Sequence, residues 1–404
     1  MKYDRRSLIF TSMAHFANDG NFFLFPVLIP FYSSLPGVSL VGLGSVAIIY
    51  NVLSGLLSTP IGAIADRIDR DAFLIFSGMF LNASSVVLFA LPFLYPRLLY
   101  VFVISGSVVL GFAQSFYHPI GAAIISIANP GEESSSVMGV NSAFGSLGRA
   151  MTPYVISFAI LLIGGFDGLT SFSLYLFLIA AVTFAGLRTF SRRNSGRKVA
   201  GKADGRAAGE FHSYAGFIYL LTAIVFIRSM FMLAVTTYIP EYMSDIYQSK
   251  HIMSIVLTAG LLIAVPGGPL FGRITSLKGG KFTIILTSAL SALFFAVFLL
   301  TRSVLVSGLA YAVFAATAFT GFPVLLGYVG NVVPNRYSAT SNALVWGIGN
   351  TLGGAAGIAV LTLMLLIMPL SYSLWLMLLF AVVSLAMTPF LPGRKDAEAD
   401  SVTE

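Results

Sequence analysis

Residues 72–94 read AFLIFSGMFLNASSVVLFALPFL, a run without any Asp, Glu, Lys or Arg. About 20 apolar residues are enough for a helix to cross the hydrocarbon core of a bilayer. The run therefore predicts a transmembrane helix. Apolar stretches of similar length lie before and after it, so the same interpretation extends outward along the chain.

The composition of the whole chain agrees with this interpretation. Of its 404 residues, 57% are hydrophobic and 10% are charged, and the mean hydropathy is +0.89. Soluble domains average roughly 45–50% apolar and 25% charged residues. The composition excludes a soluble globular protein, a disordered chain and a collagen, and the absence of cysteine excludes a disulfide scaffold. Lipid must be the solvent for most of the chain.

Twelve apolar segments are separated by clusters of Gly, Pro, Asn or charged residues. They are 7–32, 41–64, 72–94, 98–128, 136–164, 170–190, 214–240, 251–275, 282–300, 303–332, 338–366 and 370–391. The predicted fold class is an all-α membrane protein of twelve transmembrane helices, in two six-helix bundles related by a pseudo-two-fold axis.

The basic residues predict the topology. With both termini in the cytoplasm, 18 of the 23 Lys and Arg residues fall on the cytoplasmic side and three on the outer side. This is a strong positive-inside signal, and it predicts a multi-pass protein of the plasma membrane. The basic stretch Arg188–Arg206 is interpreted as a topology determinant and not as a nucleic-acid site, because no groove-reading motif accompanies it.

The same stretch divides the chain. The predicted domains are a six-helix bundle at 1–190, a basic cytoplasmic linker at 191–213, a second bundle at 214–391 and a cytoplasmic tail at 392–404. Ile29-Pro30-Phe31-Tyr32 in the first half matches Ile239-Pro240-Glu241-Tyr242 in the second. Matches of this kind, in a consistent order, indicate an internal repeat, which is a recurrent feature of secondary transporters.

A charged loop follows the second segment. It contains Gly62, Asp66, Arg67 and Arg70, and it resembles the signature loop of the major facilitator superfamily. Asp69 stands where that loop usually has Gly. An acid at a helix end can pair with Arg67 or Arg70. We interpret the four residues as a conformational latch, with an ordinary charged turn as the alternative.

Two further motifs resemble one branch of that superfamily. His15-Phe16-Ala17-Asn18-Asp19 is similar to the first helix of fosmidomycin-resistance-type transporters, and Phe116-Tyr117-His118-Pro119 is similar to their fourth helix. Ile120 stands where some members carry a carboxylate. The resemblance implies a proton-driven exporter of small molecules.

Five ionisable residues lie inside the predicted spans, where charges are costly and usually functional. They are His15, Asp19, His118, Arg149 and Arg228. At 1.5 Å per residue from the cytoplasmic helix ends, they lie roughly 12, 18, 15, 20 and 21 Å deep. They therefore form one layer near the bilayer middle, the depth at which transporters of this kind bind substrates and ions. His15 and Asp19 share one helix face because they are four residues apart.

These residues receive the following predicted roles. Asp19, assisted by His15 and His118, binds the coupling proton. The predicted substrate-binding residues are Arg149, Arg228, Asn18, Gln114, Tyr117, Tyr32 and Tyr238. Alternatives remain open: Asp19 pairs with an arginine only to hold helices together, the histidines are satisfied core residues, and Asn18, Gln114, Asn141, Asn342 and Asn350 are interhelical hydrogen-bond partners.

The predicted function is secondary active transport by alternating access, as proton-coupled export of a small polar or anionic organic compound or drug. A proton symporter or uniporter that imports an organic acid or sugar is the first alternative. An intramembrane enzyme that uses His15, His118 and Asp19 is the second, although no common enzyme motif is present. The expected partners are the substrate, protons and lipid. We expect a monomer without cofactor, metal or nucleic acid.

Overall fold

The structure is a computed structural model, and it describes residues 4–129, 133–191, 208–319 and 344–392 together with positions 324, 328, 329, 332, 333 and 341. In these residues the chain is helical and contains no β-strand. The all-α class is thus confirmed. Asn342, most of the predicted linker and nearly all of the predicted tail lie outside the described residues.

The first half of the chain forms seven helices. They are α1 (Arg5–Gly20), α2 (Leu24–Tyr32), α3 (Leu40–Ile68), α4 (Asp71–Ala90), α5 (Leu99–Ala128), α6 (Glu133–Ile163) and α7 (Gly165–Leu187). A 3-10 turn, Asn21–Phe23, joins α1 to α2. The Asp4 side chain accepts a hydrogen bond from the Arg6 amide at 3.1 Å, which caps the start of α1.

The second half continues in the same way. It contains α8 (Ala208–Tyr247), α9 (Lys250–Ala264), α10 (Gly267–Lys278), α11 (Gly280–Leu300), α12 (Val304–Ala318), α13 (Gly353–Met364) and α14 (Leu370–Met387). A π-helical segment, Leu344–Leu352, leads into α13. Such segments are rare and frequently lie near functional sites.

Ten helices in the described residues are long and apolar enough to cross a membrane. The run Arg5–Tyr32 is not among them, because polar side chains interrupt it, and Val304–Ala318 is shorter than a full span. Large apolar side chains are exposed along these helices, for example Leu174 and Leu305. The chain is a multi-pass membrane protein, and the count of twelve helices stays a prediction.

The helices cluster into two compact units. The first unit comprises Met1–Gly201 with Met243–Thr258, and the second comprises Lys202–Tyr242 with Ala259–Glu404. Inside the first unit, α5 packs against both α3 and α4, and α1 packs against α5, α6 and α7. The second unit has α11 packed against α12 and α14.

Residues Met243–Thr258, the end of α8 and the first part of α9, belong to the first unit and contact other parts of it. Lys250 Nζ donates to Ser34 Oγ at 3.0 Å. The Tyr154 amide donates to Thr258 Oγ1 at 3.1 Å, and the Tyr154 and His251 rings lie 6.3 Å apart. These contacts join α9 to the middle of α6 and to the residues that follow α2.

Glycine allows α1 and α6 to approach each other at their backbones. A Cβ placed on Gly148 of α6 would overlap the backbone carbonyl of Phe16 in α1. Small residues permit this kind of approach in membranes, where helices gain little from hydrophobic burial against each other. The contact positions the polar residues of α1 beside those of α6.

The second unit shows the same kind of contact. A Cβ on Gly353 would lie 2.5 Å from the Phe226 carbonyl oxygen, and one on Gly357 would overlap the carbonyl of Met230. Both carbonyls belong to α8, which begins the second unit as α1 begins the first. Backbone approach through glycine therefore occurs in both units.

We expect Gly148→Ala to lower the thermal stability of the detergent-solubilised protein, because the added methyl group forces α1 away from α6 at a cost of about 1–3 kcal/mol. Gly139→Ala is the matched control in the same helix, since nothing lies within 4 Å of its Cβ position. Its melting temperature should be unchanged or slightly raised. Equal destabilisation by the two variants would contradict the assigned role of Gly148.

Candidate functional site

Asp19 forms the centre of a polar cluster inside the first unit. Its side chain is 5% exposed and faces cationic or titratable groups from three helices. His15 Nε2 of α1 lies 3.3 Å from Asp19 Oδ2, His118 Nε2 of α5 lies 3.4 Å from Oδ1, and Arg149 Nη1 of α6 lies 3.5 Å from Oδ2. Four of the five ionisable residues that the sequence singles out are thus in one place.

The orientation of His15 is set by a hydrogen-bond network. Thr11 Oγ1 donates to the Ser7 carbonyl at 2.6 Å, and Tyr117 Oη donates to the Thr11 carbonyl at 2.8 Å. Both hydroxyls therefore accept from Asn141 Nδ2, at 3.4 and 3.0 Å. The Asn141 carbonyl oxygen is left to face His15 Nδ1 at 2.7 Å. In this amide orientation the oxygen accepts a hydrogen bond from Nδ1, which then carries a hydrogen, and the Tyr117 hydroxyl lies 3.2 Å from the same oxygen.

This assignment has a consequence for the other ring nitrogen. A neutral His15 with its hydrogen on Nδ1 has a lone pair on Nε2. That lone pair would face the Asp19 carboxylate at 3.3 Å, and the two would repel each other. With this tautomer, a proton or another cation between His15 and Asp19 removes the repulsion.

A chain of amides supports Asp19 on its other side. Asn18 Nδ2 donates to Asp19 Oδ1 at 3.1 Å, and Asn82 Nδ2 donates to Asn18 Oδ1 at 3.3 Å. Gln114 Nε2 donates to the Asn18 carbonyl at 2.9 Å and to Asn82 Oδ1 at 3.3 Å. The chain links α1, α4 and α5. Asn18 and Gln114 were predicted site residues, whereas the part played by Asn82 was missed.

The cluster has an exposed edge. The His118 side chain is 59% exposed and that of Arg149 is 30% exposed, in contrast to the buried Asp19. The only other side-chain hydrogen bond of Arg149 in the described residues is to Ser146 Oγ, at 3.3 Å. His118 and Arg149 are therefore the more accessible members of the cluster. The ligand atoms of His15, Asp19 and His118 lie within 4.8 Å of one another, so these three form the group that could hold a metal ion within the described part of the chain.

Arg228 belongs to the second unit. It is 5% exposed, and its Nη2 donates to the Thr317 carbonyl at 3.1 Å. Its Nε has no hydrogen-bond partner among the described residues. Asn350, also in this unit, accepts from Ser229 Oγ at 3.0 Å, as an interhelical partner would.

Two predicted tyrosines make hydrogen bonds away from the Asp19 cluster. Tyr32 Oη donates to the Phe89 carbonyl, and Tyr32 lies roughly 20 Å along the helix axis from Asp19. Tyr238 Oη is 2.7 Å from Thr362 Oγ1 in the second unit. The structure brings Tyr117 into the cluster but not these two residues.

Comparison with known families identifies the chain. A model of the Major Facilitator Superfamily matches residues 11–358. The chain belongs to this superfamily. Membership implies secondary transport of a small-molecule substrate across the membrane in which the chain is embedded.

A crystal structure of a peptide transporter, POT, in complex with sulfate is similar to this superfamily member. The TM-score is 0.71 and the identity is 16%, over 96% of this chain and 93% of that one. At this identity the likeness shows the fold alone. A comparison with curated protein sequences gives no match.

In the loop that resembles the signature loop of the superfamily, Asp69 stands where glycine is usual, and the structure explains this substitution. Asp69 ends α3 with φ 44° and ψ 46°, the left-handed conformation that favours glycine and that Asp tolerates better than most residues. Asp69 Oδ2 also accepts from Ser191 Oγ at 2.7 Å, which ties the loop to the end of α7.

The predicted latch residues surround this turn. A Cβ on Gly62 would lie 3.3 Å from Pro119 Cβ, so this glycine permits close packing of α3 on α5. Asp66 and Arg67 are in the last turn of α3, and Arg70 precedes α4. Their role as a latch stays a prediction.

We expect His15 to occur with a hydrogen on Nδ1, either as the neutral tautomer or doubly protonated. Nitrogen-15 NMR of histidine-labelled protein measures this, because the chain has only four histidines and single substitutions assign their signals. Asn141→Leu removes the acceptor and should allow the Nε2–H tautomer. Observation of that tautomer in the unmodified protein would contradict the network.

Proposed function

We propose that the chain is a proton-coupled secondary transporter for a small polar or anionic organic compound, working by alternating access. The observation that carries the proposal is the contact of one buried carboxylate, Asp19, with His15, His118 and Arg149. Ionisable groups at membrane depth are costly and commonly mark ion pathways.

The proton site in this proposal is the pair of Asp19 and His15. When His15 carries its hydrogen on Nδ1, a cation between their facing atoms removes the repulsion, and a proton is the simplest one. His118 connects the pair to the exposed edge, because its Nε2 contacts the other carboxylate oxygen while most of its side chain is exposed. Protons reach Asp19 through His118 and are held by His15.

The substrate group in this proposal binds at Arg149, which is exposed enough to meet it. An arginine can bind a carboxylate or phosphate group through two parallel hydrogen bonds. Arg228, with an Nε that lacks a partner among the described residues, is the corresponding candidate in the second unit. We propose no role in substrate binding for Tyr32 or Tyr238, because both hydroxyls are engaged elsewhere.

The contact between Arg149 and Asp19 determines the sign of the coupling. An anionic substrate competes with Asp19 for Arg149, and a proton on Asp19 removes the competing negative charge. Proton and anion therefore favour each other's binding, and linkage requires the effect to be reciprocal. Such a cycle moves both in the same direction, so the geometry favours proton–anion symport.

Export in exchange for protons is the second candidate. It is favoured by the likeness of the α1 and α5 motifs to fosmidomycin-resistance-type transporters. This cycle requires a substrate that competes with the proton. A polar substrate group that donates a hydrogen bond to the Asp19 carboxylate, at the side of His118, would compete in this way. The two candidates predict opposite pH dependence: an anion at Arg149 binds more tightly as pH falls, and a donor at Asp19 binds more tightly as pH rises.

We expect Asp19→Asn to abolish transport driven by a pH gradient in proteoliposomes while it retains substrate binding, because the amide cannot gain and lose a proton. Arg149→Ala should weaken the affinity for an anionic substrate about 10- to 100-fold, since hydrogen bonds to charged groups contribute roughly 1.5–3 kcal/mol. A screen of solutes under an imposed pH gradient supplies the substrate.

Asp167→Asn is the matched control, because Asp167 is an exposed acid in the first turn of α7. It should transport normally. Full gradient-driven transport by Asp19→Asn would remove Asp19 as the proton carrier and leave His15 and His118 as the next candidates.

The latch is tested separately. We expect Asp66→Asn to reduce turnover without loss of membrane insertion, because a lost charge pair changes the populations of the conformations and leaves the binding residues intact. Ser276→Ala, at the matching position of the second half, is the control. Turnover of Asp66→Asn at the unmodified rate would reduce the loop to an ordinary turn.

A further inference from the structure

The cluster around Asp19 has the donor types of a metal site, although the sequence analysis predicts none. Two imidazole nitrogens and one carboxylate come from two helices, and their ligand atoms lie within 4.8 Å of one another. Imidazole and carboxylate donors suit Zn²⁺ and the neighbouring divalent transition metals. Thiolate ligands are excluded because the chain has no cysteine.

The contact of each histidine with Asp19 has the spacing expected around a tetrahedral ion. Zinc binds imidazole nitrogen and carboxylate oxygen at roughly 2.0–2.2 Å, so neighbouring ligand atoms in a tetrahedral site are roughly 3.3–3.6 Å apart. The two nitrogen–oxygen distances here are 3.3 Å for His15 and 3.4 Å for His118. Each histidine therefore has the spacing of a metal ligand to one carboxylate oxygen, His15 to Oδ2 and His118 to Oδ1. The three ligand atoms together lie within 4.8 Å of one another, so a rotation of the exposed His118 ring is needed to bring all three around one ion.

The hydrogen bond from His15 to Asn141 is of the kind that supports metal-binding histidines. Such histidines almost always donate their second ring N–H to a carbonyl or carboxylate, which fixes the tautomer and the orientation of the ring. Here His15 Nδ1 donates to the Asn141 carbonyl oxygen at 2.7 Å, so Nε2 presents its lone pair to Asp19. The same ring orientation that favours a cation beside Asp19 thus also presents Nε2 as a metal ligand.

The site also has an entrance and an open coordination position. His118 is 59% exposed while Asp19 is 5% exposed, so an ion arriving at His118 is one ligand away from the buried carboxylate. Three protein ligands leave the fourth tetrahedral position for water or a solute, as in zinc sites that carry out chemistry or exchange.

Arg149 opposes a metal ion in this place. Its Nη1 lies 3.5 Å from Asp19 Oδ2 and occupies the side of the carboxylate that faces α6. Arg149 is 30% exposed, and its other side-chain hydrogen bond in the described residues, to Ser146, is long at 3.3 Å. The Arg149 guanidinium can move away from Asp19 toward the exposed edge of the cluster, so that its own charge does not become buried and unpaired. Arg149 and a metal ion therefore compete for the Asp19 carboxylate.

We propose that His15 Nε2, His118 Nε2 and the Asp19 carboxylate bind one divalent transition-metal ion of the zinc class, in competition with Arg149. Binding displaces the proton between His15 and Asp19, because a metal-binding imidazole is neutral. The proposal does not depend on the direction or the coupling of transport.

The test uses the purified full-length chain in detergent, with any histidine tag removed. Zn²⁺ binding is measured by calorimetry, and Co²⁺ serves as a spectroscopic probe because tetrahedral cobalt absorbs far more strongly in the visible range than octahedral cobalt. We expect one Co²⁺ per chain with the tetrahedral spectrum. Zn²⁺ should displace it and raise the melting temperature, since an ion that binds only the folded state stabilises it.

Three variants assign the site. His118→Ala should abolish the tetrahedral spectrum. Because the His118 side chain is mostly exposed, the variant should keep its fold, which the melting temperature of the metal-free variant checks. Asn141→Leu should weaken Zn²⁺ binding about 10- to 100-fold, as is typical when the partner of a metal-binding histidine is removed. Arg149→Gln should strengthen it, which a site elsewhere would not show.

His251→Ala is the control, because His251 lies beside Tyr154 and away from Asp19. It should bind as the unmodified chain does. The proposal is overturned by the absence of a tetrahedral spectrum in the unmodified chain, by Co²⁺ binding that persists in His118→Ala, or by Zn²⁺ affinity that Arg149→Gln leaves unchanged.

Discussion

One buried carboxylate constrains the polar interior of the first unit. Burial of a charged carboxylate costs several kcal/mol, and a single arginine at 3.5 Å returns about 5 kcal/mol at an effective dielectric constant of about 20. Asp19 is therefore close to electrostatic balance with Arg149 alone. One more cation, on the side of His15 or His118, is enough to change how firmly Arg149 is held. A site with this property can couple the binding of two solutes.

The backbone contact between α1 and α6 makes this arrangement possible. Gly148 lies against the Phe16 carbonyl, one residue from His15 in α1 and one residue from Arg149 in α6. A larger residue at 148 would separate Arg149 from Asp19 and Asn141 from His15. Helix packing and site chemistry thus depend on the same glycine. Recurrence of the contact at Gly353 and Gly357 gives the second unit a similar scaffold around α8, where Arg228 lies.

The sequence predicts the all-α membrane class, the superfamily and the main residues of the cluster. Asp19, His15, His118 and Arg149 stand out because ionisable groups are expensive in lipid. Asn82 and the orienting role of Asn141 do not, because an uncharged amide is tolerated in a span at much lower cost. Which amides point toward Asp19 depends on how each helix is rotated and which helices pair, and a single sequence determines neither.

Hydrogen bonding of individual hydroxyls is equally hard to predict. Tyr32 and Tyr238 are residues of the type that often lines a polar cavity. Their hydroxyls instead form hydrogen bonds with the Phe89 carbonyl and the Thr362 hydroxyl. Asp69 gives the opposite lesson. In the sequence, Asp69 is a mismatch to the glycine that is usual at this position of the signature loop. In the structure, Asp69 has the left-handed backbone conformation that favours glycine, and it accepts a hydrogen bond from Ser191.

The central claim is that the Asp19 cluster exchanges a proton when substrate binds. The direct measurement is the pH change of a lightly buffered detergent solution on addition of saturating substrate, in the unmodified chain and in Asp19→Asn. The account predicts a measurable uptake or release of protons by the unmodified chain and none by Asp19→Asn. A proton signal of equal size from both proteins would contradict it.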